Sequence, residues 1–174
     1  VFSLGIGLGS LLCERLSGHK VELGLVPFGS IGITVFGVDL FFAAPHADHV
    51  GELLGKAGFL QGPGHWRVLV DIGLIGLFGG FFIVPLYALI QQRSAASHRS
   101  RIIAGNNILN AFFMVLSAVL AIILLNHGFS IPQLFFVMAL FNAAVAVYIY
   151  TLVPEFLMRF IVWLMVNTMY RLRS

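Results

Sequence analysis

Residues 102–126 read IIAGNNILNAFFMVLSAVLAIILLN, and these 25 residues include no charged side chain. A helix rises about 1.5 Å per residue, so the stretch can cross the roughly 30 Å hydrocarbon core of a bilayer. A run of this length without a charge is typical of a transmembrane helix. The stretch therefore predicts a membrane protein, and the rest of the chain can be interpreted around it.

Similar apolar runs lie on both sides of this stretch. We predict spans at 21–44, 68–90 and 131–153, and we interpret 1–12 as the end of a further span. The whole chain is 59% hydrophobic and 10% charged, with a mean hydropathy of +0.98. Soluble domains carry about 25% charged residues, so a soluble or disordered protein is excluded. The fold class we expect is an all-α integral membrane protein with about five spans.

The basic residues follow the loops between these runs. Eight of the ten Lys and Arg fall in connections on one side of the predicted membrane, and Lys56 and Arg67 fall on the other. The positive-inside rule places the side with eight in the cytoplasm. Topology thus explains the net charge of +3, and we expect no nucleic-acid partner. The lone cysteine, Cys13, excludes a disulfide framework and a cysteine-based zinc site.

The chain begins with Val1 rather than Met, inside an apolar run, so we expect it to be a piece of a longer protein.

Uncharged polar residues cluster in the fourth predicted span. Asn106, Asn107 and Asn110 lie near its cytoplasmic end, and Asn106 and Asn110 share a helix face. Asn142 in the next span is a weaker case. Amides inside a membrane either bond between helices or line a cavity, and the sequence leaves both interpretations open.

Apart from Glu22 at the very start of the span 21–44, two acids lie within the predicted spans, both toward the outer ends. Asp39 and Asp71 are candidate coupling acids, because a carboxylate inside a membrane is costly and often functional. Arg67 precedes Asp71 by four residues and could simply pair with it. A structural role therefore stays open for both.

Small residues recur at helical spacing. Gly5 and Gly9 form one GxxxG pair, and Gly76 and Gly80 form another. This spacing lets helix backbones approach closely. Gly76, Gly79, Gly80 and Pro85 form either a packing face or a flexible segment. Pro85 favours the flexible segment, because proline removes a backbone hydrogen bond and tends to kink a helix.

Two polar loops complete the candidates. Glu14, Arg15, Gly18 and Lys20 resemble a degenerate version of the loop signature of the major facilitator superfamily, which would act as a cytoplasmic latch. Ordinary loop charges that follow the positive-inside rule are the alternative. An outer loop carries His46, Asp48, His49 and Glu52. No further closely spaced ligand set supports a metal there, so we predict no metal and no cofactor.

Two stretches resemble a particular family. Residues 79–91 (GGFFIVPLYALIQ) and 104–110 (AGNNILN) resemble the tenth and eleventh helices of bacterial lysophospholipid transporters of the major facilitator superfamily. Residues 154–173 (PEFLMRFIVWLMVNTMYRLR) are similar to the join between such a transporter and a glycerophospholipid acyltransferase.

The resemblance implies a division of the chain and a set of partners. Residues 1–153 would be the end of helix 8 through helix 12 of a 12-helix bundle, and 154–174 an interfacial helix that begins an acyltransferase domain. The N-terminal transporter half would be a missing partner, in a bacterial inner membrane. The substrate would be lysophospholipid, notably lysophosphatidylethanolamine, moved from the outer to the inner leaflet for re-acylation.

Enzymatic activity stays open for the parent protein. The acyltransferase signature is a His and an Asp separated by four residues, and no histidine of this chain fits it. We therefore expect no catalytic residue here. Two rival functions remain: a proton-coupled carrier of a drug or metabolite, in which Asp39 matters most, and a passive membrane anchor for a fused enzyme.

Overall fold

The computed structural model describes residues 1–17, 22–44 and 65–171, and these form helices joined by short connections. Within these ranges there are six helices and no strand. The helices are α1 (Phe2–Leu16), α2 (Leu25–Ala43), α3 (His65–Arg93), α4 (Arg99–Asn126), α5 (Ile131–Leu152) and α6 (Pro154–Arg171).

Four of these helices, α2 to α5, are long and apolar enough to cross a membrane. The prediction of an all-helical fold is confirmed for the described residues, and four helices of this length and hydropathy are typical of a multi-pass membrane protein. At 15 residues α1 is shorter than a span requires, and the apolar part of α6 is the still shorter Phe156–Val166.

The turn between α4 and α5 is encoded locally. Gly128 adopts a φ of +87°, and the amide of Phe129 donates to the carbonyl of Leu124, so α4 ends in a Schellman-type cap. The Ser130 hydroxyl and the Gln133 side chain then form a reciprocal capping box that starts α5. These two signals thus reverse the chain within the four residues between Asn126 and Ile131.

Glycines join α1 to α3, and the two helices run parallel. A Cβ added at Gly9 would overlap the backbone of Leu77, and one added at Gly76 would overlap the backbone of Phe2. At Gly80 it would lie 2.8 Å from the backbone nitrogen of Ser10. The two GxxxG pairs of the sequence therefore face each other, which favours the packing interpretation.

The α2 helix lies at the centre and packs antiparallel to both α3 and α5. Leu25 is fully buried at its start. Phe28 contacts the rings of Phe78 and Phe81 of α3, with ring centroids 5.1 and 5.6 Å away. Aromatic pairs at this separation fill the space between helices efficiently. These contacts form the core of the molecule.

The outer helices are less enclosed. No residue of α4 is buried, although the helix is apolar on nearly every face. By contrast, α6 packs against the start of α2, where Trp163 lies 5.8 Å from Phe28 between ring centroids. We conclude that α4 faces lipid or further helices, while α6 belongs to the bundle at the end that carries the basic loops.

Candidate functional site

A groove of about 760 Å³ lies between the second half of α3 and the first half of α4. Its walls are mostly apolar, with a few uncharged polar groups. The lining residues are Phe82, Ile83, Leu86, Tyr87, Leu89, Ile90, Asn106, Asn110, Phe113, Met114 and Ser117. A site of this size and composition suits a molecule with both an apolar and an uncharged or zwitterionic polar part.

Helical spacing positions the polar wall of the groove. Asn106, Asn110 and Ser117 are separated by four and seven residues, so they share one face of α4. The Asn110 amide donates to the hydroxyl oxygen of Tyr87 at 2.9 Å and links the two helices. Asn106 makes no side-chain hydrogen bond to any other described residue, so its amide is available to a ligand.

The structure separates the four asparagines predicted as a cavity. Asn106 and Asn110 line the groove, whereas Asn107 is exposed on another face of α4. Asn142 lies between α5 and α2, where its amide donates to the backbone oxygen of Ser30 at 2.9 Å and to the hydroxyl of Thr34 at 2.8 Å. Asn142 therefore bonds helices together, the alternative that the sequence left open.

We expect Asn142→Ala to destabilise the protein by about 1–2 kcal/mol, because interhelical amide bonds contribute about 0.6–2 kcal/mol each. Asn107→Ala is the matched control and should change stability little, since its side chain is exposed. Thermal unfolding of both variants in detergent provides the measurement. Equal midpoints for the two variants would contradict the assigned role of Asn142.

A cluster of charges lies at the opposite end of α3. The Arg67 guanidinium donates to both carboxylate oxygens of Asp39, with 3.0 Å between Nε and Oδ2. The pairing of Arg67 with Asp71 that the sequence suggested is thus secondary, because Arg67 makes its ion pair with the neighbouring helix α2. Asp71 lies behind this pair, is 2% exposed, and has one oxygen, Oδ2, with no partner among the described residues.

The predicted latch is only partly described. Glu14 and Arg15 lie in the last turn of α1 with exposed side chains, while Gly18 and Lys20 lie outside the described residues. The loop with His46, Asp48, His49 and Glu52 also lies outside them. Among the described residues, no group of three His, Cys, Asp or Glu side chains could hold a metal ion.

The residues predicted as a hinge have different surroundings. Gly76 and Gly80 are buried against α1, and Pro85 is buried within α3, which continues as a helix on both sides of it. A Cβ at Gly79 would meet nothing within 4 Å. Gly79 is therefore not needed for packing, and its neighbours are.

Sequence reasoning missed two partners of the predicted residues. Tyr87 was not singled out, although it lies four residues before Gln91 within the stretch quoted for the resemblance, and it contacts Asn110 across the groove. Arg67 was assigned to its own helix, because helical spacing reveals neighbours along one helix and not between two. The groove wall on α3 could have been found from helical spacing, because Ile83, Leu86, Tyr87 and Ile90 are three or four residues apart and share one face of the helix.

Comparison of the chain with models of protein families, with curated proteins and with solved structures finds no match. The groove and the charge cluster are therefore interpreted from their own chemistry.

Proposed function

We propose that the chain is part of a membrane transporter that moves lysophospholipid, such as lysophosphatidylethanolamine, from the outer to the inner leaflet. The observation that supports this most is the groove between α3 and α4, which combines apolar walls with the amides of Asn106 and Asn110. Alternating access, with the two halves of a complete transporter rocking about the site, would carry the substrate across.

The chemistry of the groove fits a single-chain lipid. Phe82, Ile83 and Phe113 offer an apolar surface to an acyl chain. The two amides and the Tyr87 hydroxyl can both donate and accept hydrogen bonds, which suits the glycerol hydroxyl and ester of a lysolipid. Of the residues that the structure describes, none with a charged side chain lines the groove, which suits a zwitterionic ligand without net charge.

The position of the groove fits delivery to one leaflet. Asn106 lies about 10 Å along α4 from its start at Arg99, given a rise of 1.5 Å per residue. Arg93, Arg99 and Arg101 flank the connection at that end. A phosphate that leaves the groove toward this end would meet guanidinium groups, which bind phosphate well.

We expect Asn106→Ala in the full protein to lower uptake of labelled lysophosphatidylethanolamine by about tenfold, the equivalent of one hydrogen bond of ~1.4 kcal/mol lost inside the membrane. Because Asn106 bonds to no described side chain, its loss should leave the unfolding temperature unchanged. Uptake by membrane vesicles, normalised to protein amount, is the measurement.

Asn107→Ala is the control, because this neighbouring amide points away from the groove. Uptake that is the same for both variants and the unmodified protein would reject the groove as the lysolipid site. Uptake that depends on the protein but not on Asn106 would favour a carrier with another site, and no protein-dependent uptake would favour the passive anchor.

A further inference from the structure

Within the described residues, the charge cluster of α2 and α3 brings two carboxylates, Asp39 and Asp71, to one guanidinium, that of Arg67. Asp39 and Asp71 lie close enough to interact with each other and with Arg67. Arg67 directs two donors at Asp39, so Asp71 is left without an equivalent partner. With both acids ionised the cluster would carry a net charge of −1.

Burial makes that charge costly. Asp71 is 2% exposed, and its Oδ2 has no hydrogen-bond partner among the described residues. A lone carboxylate in such a place pays a desolvation cost, while a neutral carboxylic acid pays far less and gains a donor. Two carboxylates in contact commonly share one proton for the same reason.

Arg67 is the one Lys or Arg among the described residues that lies at this end of the bundle. On α3 the titratable neighbours are Arg67 and His65, the first residue of the helix. From α1 no charged side chain reaches this end, since Glu14 and Arg15 lie at the other. Within Ile131–Leu152, α5 has no charged side chain either. The acids, histidines and Lys56 of residues 45–64 lie outside the described residues.

We propose that Asp71 is a proton-binding site, with the proton on the Asp71 carboxyl while Asp39 stays ionised in its ion pair with Arg67. Binding and release of this proton changes the charge between the end of α2 and the start of α3. Release leaves two facing carboxylates, which repel and favour separation of these two helix ends. The site would therefore link a proton to opening of the bundle at this end.

The site itself does not depend on the lysolipid proposal, and only its use in transport rests on that function. Infrared spectroscopy of the purified full protein tests it without any substrate, because a protonated carboxylic acid has its own carbonyl-stretch band that shifts in D₂O. We expect this band in the unmodified protein at mildly acidic pH, where an ordinary aspartate is already ionised, and its loss in Asp71→Asn. Glu14→Gln, an acid at the far end of α1, is the control and should leave the band unchanged.

A second variant keeps the test decisive if Asp71→Asn folds poorly. Asp39→Asn removes the competing carboxylate, so Arg67 becomes free to pair with Asp71. We expect Asp71 to ionise and the same band to disappear, although Asp71 is still present. A band that persists in either aspartate variant, or that is absent from the unmodified protein, would overturn the proposal.

Linkage provides an independent readout. At mildly acidic pH the native state holds a proton on Asp71 that an aspartate of the unfolded chain has already lost. The native state then binds more protons than the unfolded chain, so stability must fall as the pH rises through that range. We expect the unfolding temperature of the unmodified protein to fall as the pH is raised through the mildly acidic range to neutral, and Asp71→Asn to flatten that dependence. An unaltered dependence in Asp71→Asn would count against the site.

Discussion

Gly9→Ala should separate α1 from α3 and destabilise the protein by about 1–3 kcal/mol, the usual cost of overpacking a tight interface. The added methyl would overlap the backbone of Leu77, which cannot move aside as a flexible side chain could. The whole helix must shift instead, and the facing contact of Gly80 with Ser10 is lost with it. The single methyl thus disturbs several turns.

Gly7→Ala is the matched control, because a Cβ at Gly7 meets nothing within 4 Å. Alanine is a better helix former than glycine by up to about 1 kcal/mol, so this variant should be as stable as the unmodified protein or more so. The two variants differ only in which face of α1 receives the methyl group.

Cys13 offers a direct measurement of this effect. Its thiol is 3% exposed in the core that α1 shares with α2 and α3, and it is the sole cysteine of the sequence. A maleimide dye should label it slowly in the unmodified protein and in Gly7→Ala, and several times faster in Gly9→Ala. Equal labelling rates and unfolding temperatures in the two variants would show that α1 does not pack through this face.

The sequence alone predicts the all-helical fold class and the positions of most helices. Uncharged runs of about 20 residues have few alternatives to a transmembrane helix, so α2 to α5 follow from length and hydropathy. The sequence also predicts that the two GxxxG faces pack against other helices, because glycines four residues apart let helix backbones approach closely. Which glycine pair meets which could not be predicted, because that depends on how the helices are arranged.

The candidate site was harder to predict for the same physical reason. The sequence indicates that Asn106 and Asn110 share a face, and both line the groove. It does not indicate that Asn142 faces Ser30, or that Arg67 chooses Asp39 over the nearer Asp71, because both contacts join residues on different helices. The sequence does not distinguish a polar side chain that lines a ligand site from one that bonds to another helix. That distinction depends on the residues that surround the side chain in the folded structure.

Ser117→Trp should block the groove and lower lysolipid uptake by about tenfold or more, equivalent to ~1.4 kcal/mol or more of lost binding. Ser117 is a small residue in the groove wall, and of the groove-lining residues of α4 it lies farthest from the basic loop. Its hydroxyl bonds only to the Met114 backbone oxygen of its own helix, so no contact between helices is lost. An indole ring there would occupy space that an acyl chain needs.

Ala118→Trp is the control, since Ala118 is exposed on the adjacent face of α4 and does not line the groove. It should insert, fold and take up lysolipid like the unmodified protein, because an extra aromatic ring on an apolar membrane helix costs little.

The pair of variants distinguishes the three functions under consideration. A lysolipid transporter that uses this groove loses activity in Ser117→Trp alone, whereas a passive anchor predicts that neither ring affects lysolipid turnover. A carrier driven by the Asp71 proton with its substrate bound elsewhere would keep its transport in both variants and lose its proton dependence in Asp71→Asn, so the groove and the proton site can fail or succeed separately.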